Sequence, residues 1–276
     1  MRVNVGHINF LNVLPLNYFY ATKNLENFAL TFGVPAFVNA QIKNNLLDVS
    51  LISSIEYARQ SQNLLLIPKI CIRADEKVTS IILVSRKPID ELGGERVAIT
   101  SKSATAHCLL KIILAESYKL KPEYVVENLN VENPVPDDST AALFIGDDAL
   151  YLHLHRKNFF YYDLGEEWRK LTGRQMVYAV WAARESFAQK FPDDLRDACK
   201  KIYEGLQFGL REKSAAINSV LDSVPFTFDE LNEYLGGVIK WDLTAEGIDA
   251  LKTFYALAHK NNLLDAVPQI KLLEEF

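Results

Sequence analysis

The chain has 276 residues, 49% of them hydrophobic and 24% charged, with a formal net charge of -5. That balance belongs to a folded globular protein and excludes a disordered, fibrous or membrane-embedded one. A mildly acidic chain without a Lys/Arg run offers no footprint for nucleic acid, although local backbone donors still permit a small anion. Cys71, Cys108 and Cys199 are widely spaced, with no CxxC motif and no Cys/His cluster. A disulfide framework and a metal site are therefore not expected. The opening Met1-Arg2-Val3-Asn4-Val5 lacks the apolar core of a leader. No apolar run is long enough to span a bilayer, so the expected compartment is the cytoplasm with no membrane partner. The sequence sets no oligomeric state.

In chain order, residues 3–5 read as a strand, 16–22 as a helix after Pro15, 29–32 as a strand and 38–47 as a helix. Residues 49–52 form a buried strand, followed by a short helix over Ser54–Arg59. Strand, helix, strand, helix, strand is the signature of an α/β layer sheet. Apolar runs at 64–67, 69–72 and 80–85 are three further strands, and the punctuated segment 87–94 is a crossover. The alternation then restarts with a strand at 97–99 and a helix over 104–117. The Pro-containing segment 128–139 is a loop, and Ala141–Ile145 is a buried strand. Strands at 159–162 and 176–181 follow. A long helical stretch over 187–213 is broken at Pro192, and a final helix spans Ala245–Lys260. Thr227 with Glu230 three residues later fits a capping box. The pattern predicts two α/β lobes with a ligand cleft between them. Residues 1–85 and 182–276 form a larger discontinuous lobe, and residues 86–181 a smaller one.

Four segments place polar groups where strands end. Asn9 and Asn12 follow the first strand, and an amide there can orient an oxygen-rich ligand or bridge a turn. Ser53 and Ser54 precede the short helix, where hydroxyls cap helices or meet anions. Ser101, Lys102, Ser103 and Thr105 crowd the start of the next good helix, so hydroxyls, the helix dipole and a cation coincide. This segment lacks the glycine spacing of a nucleotide loop. Gly146 ends a strand and allows close backbone approach, while Asp147 is placed to cap the following helix. The histidines form no metal set, and no GxSxG elbow or HExxH pair occurs.

Phe10-Leu11-Asn12-Val13-Leu14-Pro15 and the segments 48–59 (DVSLISSIEYAR), 78–88 (VTSIILVSRKP), 143–150 (LFIGDDAL) and 168–182 (WRKLTGRQMVYAVWA) occur in this order. Together they resemble the chorismate dehydratase family of the futalosine route to menaquinone. The resemblance covers roughly residues 2 to 185 and departs from the family pattern at Ala106 and at Arg174-Gln175. It implies a periplasmic-binding-protein type II fold used as a hydro-lyase without a cofactor. Its substrate would be the dicarboxylate chorismate and its product 3-[(1-carboxyvinyl)oxy]benzoate. It further implies Asn12 and Ser80 as catalytic residues. Ser53, Ser54, Ser101, Ser103, Thr105, Gly146 and Asp147 would face the ligand. No strong base stands out, which suggests that the substrate's own enolpyruvyl carboxylate takes the proton. His7, Glu56 and Asp147 are the rival bases. A non-catalytic carboxylate-binding protein of the same fold is one alternative. The other is the sister dihydroxynaphthoate-forming enzyme of the same pathway, whose Ser-Pro-Cys-Pro-Asn-Asp pattern is absent.

Overall fold

The alternation of apolar runs and helical segments builds two separate β-sheets in the computed structural model, which describes residues 2–274. Strand β1 (Val3–Ile8) leads through a 3-10 turn (Leu11–Val13) into helix α1 (Leu14–Thr22). This helix starts before the expected Leu16, because Pro15 is tolerated in a first turn, where its missing N–H costs nothing. Strand β2 (Phe28–Gly33) and helix α2 (Pro35–Lys43) follow. Helix α2 likewise begins on a proline, and its continuation to 47 is cut by Asn45 at a φ of 60°.

Strand β3 (Val49–Ser53) is buried at every position, as a strand covered on both faces must be. It passes directly into α3 (Ser54–Arg59). Strand β4 (Leu64–Ala74) is one element where two were expected; Lys69, at a φ of 72°, marks a local irregularity without ending it. Then come β5 (Ile81–Ser85), β6 (Arg96–Thr100), α4 (Ala104–Glu116) and β7 (Glu123–Glu127). Strand β7 was not among the expected elements: its apolar run is only Tyr124-Val125-Val126, and as a sheet edge it has no fully buried residue. The chain continues through β8 (Ala141–Ile145), α5 (Gly146–Leu154), β9 (Phe160–Asp163), α6 (Leu164–Thr172) and β10 (Met176–Arg184). The remainder holds α7 (Glu185–Lys190), α8 (Pro192–Arg211), α9 (Lys213–Asn218), α10 (Phe228–Glu233), β11 (Lys240–Leu243) and α11 (Ala245–Lys260). The Thr227 capping box opens α10: Glu230 N donates to Thr227 Oγ1 at 3.3 Å, and Thr227 N donates to Glu230 Oε2 at 2.7 Å.

One sheet has the order β11-β4-β10-β3-β1-β2, the other β7-β6-β8-β5-β9. In the first, β1 runs parallel to β2 and β3, and β10 runs antiparallel to β3. In the second, β6 is parallel to β7 and β8, while β5 is antiparallel to β8 and β9. The chain falls into two compact units. One comprises Met1–Ile72, Tyr178–Thr244 and Pro268–Phe276; the other comprises Arg73–Val177 and Ala245–Val267.

This division differs from the expected breaks after 85 and 181. Strand β5 is hydrogen-bonded to β8 and β9, so the change of unit falls before it. Nor does the whole tail stay with the first unit, because α11 packs in the second. Lys260 Nζ and Asn261 Nδ2 meet the Glu116 carboxylate at 2.7 and 2.9 Å, and Phe254 lies edge-on to Trp168 with ring centroids 5.9 Å apart.

Within the first unit, α8 lies against α1 through positions without side chains. A Cβ on Gly209 would sit 1.8 Å from the Pro15 carbonyl oxygen, and one on Gly205 would sit 2.4 Å from the Phe19 ring. The end of β10 is tied to β1 through one carboxylate. The Arg184 guanidinium pairs with Asp48, whose other oxygen accepts Asn4 N at 2.9 Å and Asn4 Nδ2 at 2.8 Å.

Candidate functional site

In the first unit, the carboxyl ends of the parallel neighbours β1 and β3 bring two of the expected segments together. This is the edge at which α/β sheets bind ligands. Asn12 occupies the 3-10 turn after β1 and is half-buried, and its backbone carbonyl accepts Trp241 Nε1 at 2.9 Å. Its side-chain Oδ1 is buried and has no hydrogen-bond partner among the described residues. A buried acceptor left unpaired is costly, which marks this amide as one that a ligand or water would satisfy.

Ser53 takes a different role from the one expected. It stands at the N-cap position of α3, but its hydroxyl accepts Asn39 Nδ2 at 3.0 Å and its N–H donates to Asn39 Oδ1 at 3.0 Å. The pair occupies the Ser53 N–H and one acceptor site of its hydroxyl, so Ser53 is not the side-chain cap of α3, while its O–H can still donate. Ser54, the first residue of α3, is fully buried.

In the second unit, the remaining candidates gather at one end of the other sheet. Strands β6 and β8 are parallel, so Thr100 and Ile145 end on the same side, and antiparallel β5 begins beside Ile145. Ser80 therefore lies next to Gly146, whose N–H donates to the Ser80 carbonyl at 2.8 Å. Ser103 caps α4, accepting Ala106 N at 3.3 Å. Ser101 is exposed and Thr105 is buried. Two expectations need correction here. Asp147 does not cap α5: the helix starts at Gly146, at a φ of 64°, and Asp147 sits in its half-buried first turn. Lys102 does not stand open to an anion, because its Nζ meets Asp148 Oδ2 at 2.7 Å.

The rival bases also find their places. His7 is fully buried, stacked on Trp181 with centroids 5.6 Å apart and edge-on to Tyr20 and Phe32 at 5.1 and 5.9 Å. Burial pushes its pKa down to about 3. Both ring nitrogens are buried without a hydrogen-bond partner among the described residues. His7 is thus a neutral core imidazole at physiological pH. Glu56 is buried and accepts Gln60 Nε2 at 2.8 Å.

Two residues at the Ser80 site escaped the sequence reading. Thr79 has a φ of 59°. Asp163 accepts backbone N–H groups from residues 78, 79, 165 and 166. Nothing in a sequence reports a φ. The Asp163 signal was present as an acidic residue followed by Glu166 three positions on, which is a helix-start pattern. Among the described residues, no group of three or more His, Cys, Asp or Glu could hold a metal ion, and no helix is long and apolar enough to cross a membrane.

Similarity to solved structures defines the class. The chain superimposes on a crystal structure of a protein from Archaeoglobus fulgidus with a TM-score of 0.77 at 14% identity, covering 95% of this chain and 98% of that one. It also superimposes on the periplasmic aliphatic sulphonate binding protein of Escherichia coli with a TM-score of 0.65 at 14% identity, covering 100% and 94%. The fold is that of the periplasmic binding proteins. The profile of the menaquinone biosynthesis family matches residues 3–260, and the chain belongs to that family. It is 30% identical to the chorismate dehydratase of Thermus thermophilus over 195 residues, covering 65% of this chain and 69% of that protein. It is 26% identical to the chorismate dehydratase of Campylobacter jejuni over 269 residues, covering 94% and 98%.

Proposed function

We propose that the protein is a chorismate dehydratase, a hydro-lyase that works in the cytoplasm on the path to menaquinone. The observation that carries this reading is the match of the menaquinone family profile to residues 3–260, joined by one chorismate dehydratase relative along nearly the whole chain and a second along about two thirds of it. The reaction breaks the C3–H and C4–O bonds of chorismate and forms the C3–C4 double bond. Hydroxide leaves with a proton as water, and the ring becomes aromatic. The product is 3-[(1-carboxyvinyl)oxy]benzoate. Aromatisation supplies the driving force, so the protein need only hold the dicarboxylate and guide one proton.

The residue chemistry supports such a role. Asn12 offers a buried amide oxygen without a protein partner. Ser80, Ser101, Ser103 and Thr105 offer hydroxyls, and Gly146 with Asp147 opens α5. Ser54 lies at the head of α3. Ser53, tied to Asn39 as an acceptor, keeps an O–H that can donate to the ligand. His7, neutral and enclosed by aromatic rings, is poorly placed to be the base. The enolpyruvyl carboxylate of the substrate is the proton acceptor in this reading, held near C3 by Asn12 and Ser80. Intramolecular placement of a base is worth effective molarities of about 10⁵ M or more.

The test is turnover of chorismate by the purified protein, with the product identified by its ultraviolet spectrum and by the loss of one water in mass. Asn12→Ala and Ser80→Ala should each lower kcat/KM by about 100-fold or more, as loss of a transition-state hydrogen bond does. Binding of chorismate without conversion would leave a carboxylate-binding protein instead. Full activity in both variants would refute the assignments.

A further inference from the structure

The segment entering β5 is bent in a way that few side chains tolerate. Ser80 N donates to the Val78 carbonyl at 2.7 Å, closing a γ-turn centred on Thr79, whose φ is 59°. A γ-turn with positive φ at its centre is the rarer, strained form, and a β-branched residue suffers most there. Such strain persists only where the surroundings over-determine it, and it concentrates at functional sites.

The over-determining group is one carboxylate, arriving from the end of β9. Asp163 is 7% exposed. Its Oδ2 accepts Thr79 N at 2.6 Å and Val78 N at 3.1 Å. Its Oδ1 accepts Val78 N at 3.0 Å, Gly165 N at 2.8 Å and Glu166 N at 3.2 Å. One oxygen therefore serves chiefly the turn, and the other serves the start of α6. The turn in turn fixes Ser80 from both sides. The Ser80 hydroxyl donates to the Val78 carbonyl at 3.3 Å, and the Ser80 carbonyl receives Gly146 N–H at 2.8 Å.

We infer that Asp163 is a positioning residue for Ser80: its carboxylate holds the strained turn over residues 78–80 and thereby sets the place and direction of the Ser80 hydroxyl presented to chorismate. The inference rests on the proposed dehydratase reading, in which Ser80 meets the substrate. Asp163 touches no substrate in this account. It acts through the backbone of Thr79.

Asp163→Asn separates the two halves of the clamp. The amide keeps an oxygen for Gly165 and Glu166, since Asn caps helices as well as Asp does. It turns an N–H₂ toward the Thr79 N–H, where donor faces donor. Released from its acceptor, the turn relaxes and Ser80 moves. The expected result is a fall in kcat of about 10- to 100-fold with KM changed less than about threefold, as a displaced group at the reacting centre produces. Amide exchange should quicken at Thr79 and stay slow at Gly165. Thr79→Gly added to Asp163→Asn should recover about 3- to 10-fold in kcat, because glycine adopts positive φ without a side-chain penalty. If the amide variant does not fold, Asp163→Ser, whose hydroxyl caps α6 but is too short to reach Thr79, takes its place. Unchanged kcat with fast Thr79 exchange would overturn the inference, as would a loss that Thr79→Gly does not relieve. Chorismate left intact by the natural protein, or full turnover by Ser80→Ala, would instead overturn the functional reading. The exchange measurement would still report whether Asp163 holds the turn.

Discussion

Lowering the pH from 7 to 5 should destabilise the first unit through a single side chain, His7. An unfolded imidazole titrates near 6.5, whereas burial among Trp181, Tyr20 and Phe32 pushes His7 down to about 3. Between those values the unfolded chain binds a proton that the folded chain refuses. Stability is therefore lost as pH falls through that window and is fully retained above it. The linkage relation gives a contribution of about 0.2 kcal/mol against folding at pH 7 and about 2 kcal/mol at pH 5. His7→Phe removes the proton site and keeps an aromatic ring. Urea unfolding of both proteins at both pH values, followed by tryptophan fluorescence, isolates the effect. Packing changes and all other titrations cancel in the comparison of pH dependences. The natural protein should lose about 2 kcal/mol more than His7→Phe on going to pH 5. Equal losses would refute the reading of His7 as a neutral core residue, and His7→Leu provides an independent second measurement.

Gly209→Ala should lower stability by about 3 kcal/mol, since its Cβ would meet the Pro15 carbonyl at 1.8 Å and backbone cannot step aside cheaply. Thermal unfolding should show it, with Gly236→Ala as a nearly neutral control, because only the mobile tip of Lys213 lies near that position. Arg184→Met should cost about 3 kcal/mol by leaving the buried Asp48 carboxylate without its cation, and Asp48→Asn in the same chain should return part of the loss. The activity losses expected for Asn12→Ala, Ser80→Ala and Asp163→Asn complete the set, with kinetics on chorismate as their measure.

Much of the architecture was legible because burial writes itself into composition. The uninterrupted Val49–Ser53 and Ala141–Ile145 runs, the Thr227 capping box and the closing helix Ala245–Lys260 all follow from periodicity or cap chemistry. The boundary of the second unit was misplaced because strand pairing is non-local: nothing in residues 81–85 announces that their partners are 141–145 and 160–163. The edge strand β7 was overlooked because its apolar run, Tyr124-Val125-Val126, is only three residues long and never fully buried. At the candidate site, residue types pointed to strand ends but not to who bonds whom. Ser53 is tied to Asn39 and Lys102 to Asp148, pairings set by the register of neighbouring elements. Thr79 was missed for a different reason, since a threonine in left-handed backbone runs against local preference and is imposed from a distance.

The hydrogen bond from Trp241 to the Asn12 carbonyl joins positions 229 residues apart. Synthesis proceeds from the amino to the carboxyl terminus, so the turn bearing Asn12 leaves the ribosome well before Trp241 and acquires this anchor only once those 229 further residues have followed it. Nascent or shortened chains ending before Trp241 would carry every residue of that turn and still lack the bond that fastens it.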